Sequence, residues 1–260
     1  MSNRSLLRYN RAVAPMQVSR VGHTAVEQRL TGKCEEVGSI VDIFKDPLLT
    51  PTEVSTYLEI PRSTIYYWLD AGTTAGRPPL VHKLRSDRRG GASVPFAGVV
   101  EAYVLRALRN KLGFTKRQIA DTVADVRDNF GTDFALASKR IATDGIDIFI
   151  QHNDGEFARV GDHQVLIRDV VGDYLRYVTW QKTGEYAARL RLPSFGDNAP
   201  VVIDPRFGWG APVVERNKVP VRAVIDLWAS GESLATVADE YGLTEEEVEE
   251  ICRVGLKHAA

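Results

Sequence analysis

The sequence predicts an α+β protein, mostly helical, with a winged helix-turn-helix, a small antiparallel sheet and a C-terminal trihelical domain. Three observations predict this class. Capping boxes at Thr50, Thr115 and Thr244 open apolar runs of helical period. Apolar residues alternate with a period of two in the middle of the chain. The 260 residues, of which 44% are hydrophobic, can build a core and allow more than one domain.

The chain divides into four predicted segments. Residues 1–46 carry scattered arginines without an apolar period. They are predicted to be a flexible arm, which is either a frayed or non-native terminus or a segment that touches DNA phosphates. Residues 47–135 hold the winged helix-turn-helix, residues 136–196 a small α/β connector, and residues 197–260 the trihelical domain. The polar stretch 193–198 is the predicted linker before the last segment.

Two short helices form the predicted helix-turn-helix. The first begins at the capping box 50–53, which has a proline at the first helical position. It ends before Pro61, because a proline disfavours the helical conformation of the residue that precedes it. The second runs from Pro61 to Asp70, and its Ile65 and Trp68 recur at helical spacing, as expected for residues that pack on the first helix.

A β-hairpin wing is predicted after the second helix. Residues 80–85 and 93–95 have the pattern of its strands, and the basic, glycine-containing segment 87–91 that of its tip. Two amphipathic helices follow, one over 96–112 and one that begins at 115, with their apolar stripes in the core.

The connector is predicted to contain a second hairpin. Residues 146–150 alternate in the strand period, residues 152–155 supply a turn, and residues 156–160 form the returning strand. A helix over 167–180 and a strand over 188–192 complete the segment.

The C-terminal unit is predicted to hold three helices, which begin at residues 219, 234 and 244. The last of them opens with five glutamates at positions 245–250. Because carboxylates oppose a polyanion, we expect a protein interface here rather than a DNA contact. Most apolar residues of this unit are predicted to be core, whereas Trp209, with Arg216 and Lys218, is expected to contact a protein partner.

Composition and short motifs exclude several other classes. No apolar run reaches the roughly 20 residues that span a bilayer, and no signal-peptide pattern is present, so we expect a cytoplasmic protein. The two cysteines, Cys34 and Cys252, lie too far apart in sequence to suggest a disulfide framework or a thiolate metal site. His152, Asp154 and His163 are predicted to be turn chemistry rather than a site. We therefore predict no cofactor, no metal and no enzyme activity.

The charge of the chain is unevenly distributed. Residues 61–117 carry eleven Lys and Arg against three acids, whereas residues 197–260 carry six against twelve. A basic block on a helix-turn-helix predicts contact with DNA. Candidate base-reading residues are Arg62, Ser63 and Tyr66, with Thr64 and Tyr67 beside them. Candidate phosphate contacts are Lys83, Arg85, Arg88, Arg89, Lys116 and Arg117. The alternative is that these residues only solvate a surface helix and its neighbours.

Two stretches resemble known families. Ile60-Pro61-Arg62-Ser63-Thr64-Ile65-Tyr66-Tyr67-Trp68, with Leu112-Gly113-Phe114-Thr115 further on, resembles the winged helix-turn-helix of MerR-like DNA-binding proteins. Asp204-Pro205, Gly210-Ala211-Pro212-Val213-Val214 and Ala238-Asp239-Glu240-Tyr241-Gly242-Leu243-Thr244 are similar to the antitoxin-associated domain family of unknown function numbered four-three-three.

Together the two stretches resemble mycobacterial antitoxins of the VapB type. The resemblance implies a type II toxin-antitoxin system: the chain would neutralise a PIN-like ribonuclease toxin and repress their shared promoter. A homodimer would place two recognition helices roughly 34 Å apart on double-stranded DNA.

Two rival interpretations remain open at this point. The first is a stand-alone MerR-like transcriptional regulator whose connector or C-terminal region senses a small ligand; a pocket would favour it. The second is an enzyme that acts on nucleic acid, against which the lack of an acidic metal cluster in the sequence counts.

Overall fold

The computed structural model describes residues 41–71, 78–152 and 163–259. Within these ranges it contains nine α-helices and one four-stranded antiparallel sheet, which confirms the α+β class. The elements are α1 Pro51–Tyr57, α2 Arg62–Asp70, α3 Phe96–Asn110, α4 Lys116–Phe130, α5 Asp144–His152, α6 His163–Leu175, β1 Val178–Trp180, β2 Ala187–Arg191, β3 Val201–Ile203, β4 Val213–Val214, α7 Val221–Ala229, α8 Leu234–Tyr241 and α9 Glu245–Ala259. None of the described helices is long and apolar enough to traverse a bilayer.

Helices α1 and α2 form the predicted helix-turn-helix. The capping box of α1 is present: Glu53 N–H donates to the Thr50 hydroxyl at 3.1 Å, and Thr50 N–H donates to the Glu53 carboxylate at 2.7 Å. In the turn, the Ser55 hydroxyl donates to the Ile60 carbonyl at 2.6 Å. The capping box satisfies the start of α1, and the Ser55 bond fixes the turn between the two helices.

Helix α3 is the centre of the core. Twelve of its residues are buried, among them Phe96 and Tyr103. The Tyr103 ring stacks on Tyr174 of α6 with centroids 4.2 Å apart, and its hydroxyl donates to the Tyr174 carbonyl at 2.9 Å. Burial raises the pKa of the Tyr103 phenol. Helix α4 begins at the predicted second capping box, in which Thr115 and Gln118 exchange hydrogen bonds.

The prediction of a β-hairpin wing is wrong. Residues 80–95 form a loop whose two arms share one backbone hydrogen bond, from Leu84 N–H to the Ser93 carbonyl at 2.7 Å. Val94 pairs instead with Leu49, just before α1. The backbone N–H of His82 donates to the Glu101 carboxylate at 2.8 Å. These competing partners occupy the groups that a hairpin ladder would have needed, so no ladder forms.

A buried ionic cluster holds the start of this loop against α3 and α4. The Glu101 carboxylate is fully buried and lies 2.8 Å from His82 Nδ1 and 3.8 Å from Arg127 Nη2. The Arg127 guanidinium also donates to the carbonyls of Pro79 and Asp133, both at 2.8 Å. Burial lowers the pKa of Arg127, and the nearby Glu101 carboxylate opposes that shift.

The predicted strand over residues 146–150 is also wrong, because these residues belong to α5. Ile146, Ile148 and Phe149 are all buried, although a strand would point the neighbours Ile148 and Phe149 to opposite faces. A strand would have turned Phe149 away from the core. Helix α5 packs between α4 and α6, and those contacts select the helix. The predicted returning strand, 156–160, lies outside the described residues.

The sheet runs in the order β1-β2-β3-β4, with every pair antiparallel. Leu190 of β2 pairs with Ile203 of β3, and Val202 of β3 pairs with Val213 of β4. The prediction that residues 193–198 are a linker is therefore wrong: they begin with a 3-10 turn, Pro193–Phe195, that joins two paired strands, and Phe195 is buried. The predicted helix over 167–180 is correct only to Leu175, after which β1 follows. The predicted strand over 188–192 is confirmed as β2.

The last residues of the predicted arm are packed rather than flexible. Phe44 contacts the rings of Phe134 and Tyr186, with centroids 4.6 and 4.7 Å away. The Ala97 N–H donates to the Ile43 carbonyl at 2.9 Å. These contacts correct the prediction for residues 41–46. Residues 1–40 of that arm lie outside the described residues.

Helices α7, α8 and α9 form the predicted C-terminal helical unit. Val224, Val237 and Ile251 are fully buried between them. Helix α9 opens at the third capping box, in which Thr244 N–H donates to the Glu247 carboxylate at 2.7 Å. The same carboxylate accepts two hydrogen bonds from the Arg216 guanidinium, at 3.0 and 2.6 Å. This pair ties the loop after β4 to the start of α9.

Candidate nucleic-acid interface

Helix α2 presents one apolar and one exposed side. Ile65, Trp68 and Leu69 are buried on the core side, as predicted. The exposed side carries four of the predicted DNA-contacting residues, Arg62, Ser63, Tyr66 and Tyr67. Tyr66 and Tyr67 are 48% and 38% exposed, a large solvent contact for aromatic residues on a nine-residue helix. A helix of this size fits the major groove, which is roughly 12 Å wide.

Thr64 is a correction to the predicted set. Its side chain is buried, and its hydroxyl accepts a hydrogen bond from Arg109 Nη1 of α3 at 2.9 Å. It therefore fixes the orientation of α2 and has no exposed group with which to contact a base. Arg109 is the residue that sequence reasoning missed here, since 45 residues separate it from Thr64.

The basic loop begins against the end of α2. Val81 N–H donates to the Trp68 carbonyl at 3.1 Å, and the Lys83 ammonium pairs with the Asp70 carboxylate. Beyond this anchor, Arg85, Arg88 and Arg89 are exposed, and none of them forms an ion pair with a residue that the structure describes. The loop thus carries three cations that are accessible to solvent, next to the C-terminal end of α2.

The start of α4 also contacts α2. The Lys116 ammonium is 4.7 Å from the centre of the Tyr67 ring, a cation–π contact between the two helices. Arg117 is highly exposed and lies 3.7 Å from Asp121 one turn further along. The structure therefore brings the predicted phosphate contacts of two separate segments to the same helix.

The turn between α1 and α2 is also held from α3. Glu59 has a left-handed backbone conformation, with φ of 49°, and its carboxylate accepts a hydrogen bond from Arg106 Nη2 at 3.0 Å. The sequence analysis assigned Arg106 no role. The helical spacing of Arg106 and Arg109, three residues apart, is the signal that could have grouped them.

The three predicted partner contacts lie together in sequence but have different environments. Trp209 is 78% exposed and has a left-handed backbone, with φ of 51°. The Arg216 guanidinium forms an ion pair with the Glu247 carboxylate, and the Arg216 side chain is half exposed. The Lys218 ammonium donates to the Glu215 carbonyl at 2.6 Å and lies 5.3 Å from the centre of the Phe207 ring.

The structure describes only part of the other candidate chemistry. In the described ranges, no three His, Cys, Asp or Glu residues are grouped so that they could hold a metal ion. His152 ends α5, with its Nε2 2.6 Å from the Asp125 carboxylate. Asp154 lies outside the described residues, and so does the side chain of His163.

The arrangement of α1, α2 and α3 defines a helix-turn-helix protein. A family model described as "Putative DNA-binding HTH domain" matches residues 47–117, and one described as "Protein of unknown function (DUF433)" matches residues 201–253. A relative from Mycobacterium tuberculosis, described as "Putative antitoxin VapB45", is 32% identical over 227 residues, which are 79% of this chain and 92% of the relative. The chain belongs to this family of VapB-type antitoxins, as the two stretches taken together predicted.

A solved structure agrees with this assignment. The crystal structure of the Mycobacterium tuberculosis protein Rv2018 is 31% identical in sequence, with a TM-score of 0.66. The match covers 80% of this chain and 98% of the solved one.

Proposed function

We propose that this chain is the DNA-binding antitoxin of a type II toxin-antitoxin pair. It binds double-stranded DNA of its own promoter through α2, and it neutralises a PIN-like ribonuclease through its C-terminal region. The observation that carries the DNA half of this proposal is that two basic segments contact α2. Lys83 and Asp70 join it to the basic loop, and Lys116 and Tyr67 join it to the start of α4.

The chemistry of this surface fits a groove flanked by phosphates. Arg62 and Ser63 sit in the first turn of α2, where side chains of a recognition helix meet base edges. An arginine can bond both acceptors of a guanine, and a serine can bond several bases. The cations of the two basic segments then contact phosphates, which position the helix without reading the sequence. The exposed ring of Tyr66 adds an apolar contact for the methyl group of thymine.

A homodimer follows from the size of this surface. One nine-residue helix reads only a few base pairs. Two copies related by a two-fold axis place their helices roughly 34 Å apart, one turn of DNA, and read a pseudo-palindrome. Autorepression is then the consequence of binding such a site in the promoter of the pair. The protein acts in the cytoplasm, without a cofactor and without an enzymatic step of its own.

The proposal that the chain neutralises a toxin rests on its family and on one exposed aromatic residue. The relative is named as an antitoxin, and the family match extends through the C-terminal helices. Trp209 exposes an indole on a strained backbone, and such residues are enriched at the centres of interfaces. Lys218 places positive charge in the same loop region, which suits a partner with an acidic surface. The charge of Arg216 is balanced by Glu247, but its side chain is half exposed and can still contact a partner.

Binding to the promoter tests the DNA half. Fluorescence anisotropy with a labelled duplex from the promoter, and with a shuffled duplex of equal composition, should show tighter binding to the promoter by about a thousandfold or more. Titration at several salt concentrations should give a steep loss of affinity, since six cations lie in the proposed contact set. Equal affinity for the two duplexes would contradict sequence-specific repression.

A further inference from the structure

An open cleft of about 450 Å³ lies between the end of α3 and the segment that joins α6 to β1. Its volume falls in the range of roughly 300–1,000 Å³ that is usual for small-molecule sites. Arg106, Asn110 and Lys111 line one side, and Tyr174 and Tyr177 line the other. None of these residues belongs to the proposed DNA surface or to the proposed toxin contact.

The polar groups of the cleft favour an anion. Lys111 is exposed and forms no ion pair with any residue in the described ranges. Asn110 adds an amide beside it. One acidic residue, Asp173, also lines the cleft. Its carboxylate lies 3.8 Å from the guanidinium of Arg176, which follows the end of α6. The Arg106 guanidinium lines the cleft and also binds Glu59, so an anion in the cleft would compete with Glu59 for it.

The tyrosines give the cleft an aromatic wall. Tyr174 is fixed by its stacking on Tyr103, so its ring is a preformed surface. Its hydroxyl is buried. Burial raises the pKa of Tyr174 to about 12, although the positive charge of Arg106 opposes the shift. The ring of Tyr177 is covered by Arg176, whose guanidinium lies 5.0 Å from the ring centre.

Arg106 connects this cleft with the helix-turn-helix. A second, smaller cavity of about 180 Å³ shares Arg106 and Asn110 with the first, and it is also lined by Pro61 and Thr64 at the start of α2. The same guanidinium holds Glu59, the left-handed residue of the turn. A ligand that draws Arg106 into the cleft would therefore weaken the contact that stabilises the turn.

We infer that the cleft lined by Arg106, Asn110, Lys111, Tyr174 and Tyr177 binds a small aromatic anion, and that this ligand lowers the DNA affinity of the helix-turn-helix by competing with Glu59 for Arg106. The anionic group is a carboxylate or a phosphate on an aromatic ring. The binding site stands independently, whereas its effect on DNA rests on the proposed function.

Isothermal titration calorimetry on the full chain tests the site with four probes. These are benzoate, phenyl phosphate, inorganic phosphate and the neutral benzyl alcohol. We expect saturable binding of benzoate or phenyl phosphate, and at least tenfold weaker binding of inorganic phosphate and benzyl alcohol. Comparison of the two aromatic probes distinguishes a carboxylate site from a phosphate site. Absence of saturable binding by both aromatic probes up to about 1 mM would overturn the site.

Two charge-reversal variants separate the cleft from a general effect of charge. Lys111→Glu should weaken binding of the aromatic anion by at least about tenfold, because a charge-assisted hydrogen bond is lost. Lys182→Glu, an equal change at an exposed position between β1 and β2, should leave the affinity within about twofold. Equal losses in the two variants would overturn the assignment to this cleft.

The effect on DNA is measured with the promoter duplex at constant ionic strength. A saturating concentration of the probe that binds should weaken DNA binding by about fivefold or more, and the Lys111→Glu protein should show no response at that concentration. Unchanged DNA affinity of the ligand-bound wild type would overturn the coupling. Failure of the ligand-free protein to bind DNA would contradict the proposed function instead, and calorimetry would still decide the site.

Discussion

The Lys116 ammonium lies 4.7 Å from the centre of the Tyr67 ring, so the start of α4 is held against the exposed side of α2. Lys116 belongs to the predicted phosphate contacts and Tyr67 to the helix that is predicted to read bases. The cation–π contact therefore sets the distance between a phosphate-binding group and a base-reading helix. That distance has to match the width of a groove if both groups bind the same duplex.

The ring of Tyr67, rather than its hydroxyl, is expected to position Lys116. Tyr67→Phe should retain promoter affinity within about twofold, since phenylalanine keeps the face of the ring. Tyr67→Leu should lower the affinity several-fold, because about 0.5–1 kcal/mol of cation–π attraction is lost and Lys116 becomes free to move. Anisotropy titrations measure both. A loss in Tyr67→Phe as large as that in Tyr67→Leu would instead assign the hydroxyl a direct contact.

Arg62 and Arg88 should have different roles on DNA. Arg62→Ala should weaken promoter binding by about 1–3 kcal/mol and leave shuffled DNA little affected, because a base contact is lost. Arg88→Ala should weaken binding of both duplexes by the same factor, because a phosphate contact is lost. The slope of log affinity against log salt concentration should fall by about one. Equal losses of Arg62→Ala on the two duplexes would remove its assignment as a base-reading residue.

Glu101 is expected to be essential for stability. Glu101→Gln removes the charge that compensates buried Arg127 and weakens the acceptor of His82, so we expect a loss of about 3 kcal/mol in the free energy of unfolding. Urea denaturation measures it. Glu185→Gln is the matched control, since Glu185 pairs with Lys139 at the surface, and its cost should stay below about 1 kcal/mol. Similar costs would show that the buried cluster contributes no more than a surface pair.

The pair of Arg216 and Glu247 predicts a dependence of stability on pH. The hydrogen bonds from Arg216 hold the pKa of Glu247 below its ordinary value of 4.5. A carboxyl whose pKa is lowered in the folded state stabilises that state above its ordinary pKa, and the contribution is lost as the pH falls through the folded value. The Tm of wild type should therefore exceed that of Glu247→Gln at neutral pH, and the difference should close on acidification. A difference that does not shrink as the pH falls below 4.5 would contradict this origin.

Trp209 is expected to matter for the partner and not for the fold. Asparagine tolerates the left-handed backbone of this position, so Trp209→Asn removes the indole with little added strain. We expect an unchanged Tm and a loss of about tenfold or more in affinity for the toxin, which corresponds to a central interface residue. Leu256→Ala, another exposed apolar position, is the control and should bind normally. Normal toxin binding by Trp209→Asn would move the interface elsewhere.

Features that depend on neighbouring residues could be predicted from the sequence. The capping boxes at Thr50, Thr115 and Thr244 each open a helix, because the bonds that start these helices are made within four residues. The end of α1 follows in the same way from Pro61. The exposed side of α2, and with it most of the candidate site, could therefore be identified before the structure.

Features set by distant partners could not be predicted. Leu49 pairs with Val94, and Glu101 binds His82, so the groups of the expected wing are used elsewhere. The apolar residues of α5 fit the spacing of a strand as well as that of a helix. Packing against α4 and α6 selects the helix. Thr64 was expected at the DNA surface because nothing near it in sequence reveals Arg109, which holds it in the interior.

Co-purification with the product of the adjacent gene tests the central claim most directly. The tagged chain is co-expressed with that product, the complex is sized, and ribonuclease activity is measured before and after the chain is removed. We predict a stable complex of defined stoichiometry in which ribonuclease activity is silent, and activity that appears when the chain is stripped away. A chain that elutes alone, beside a neighbour without ribonuclease activity, would contradict the proposed antitoxin function.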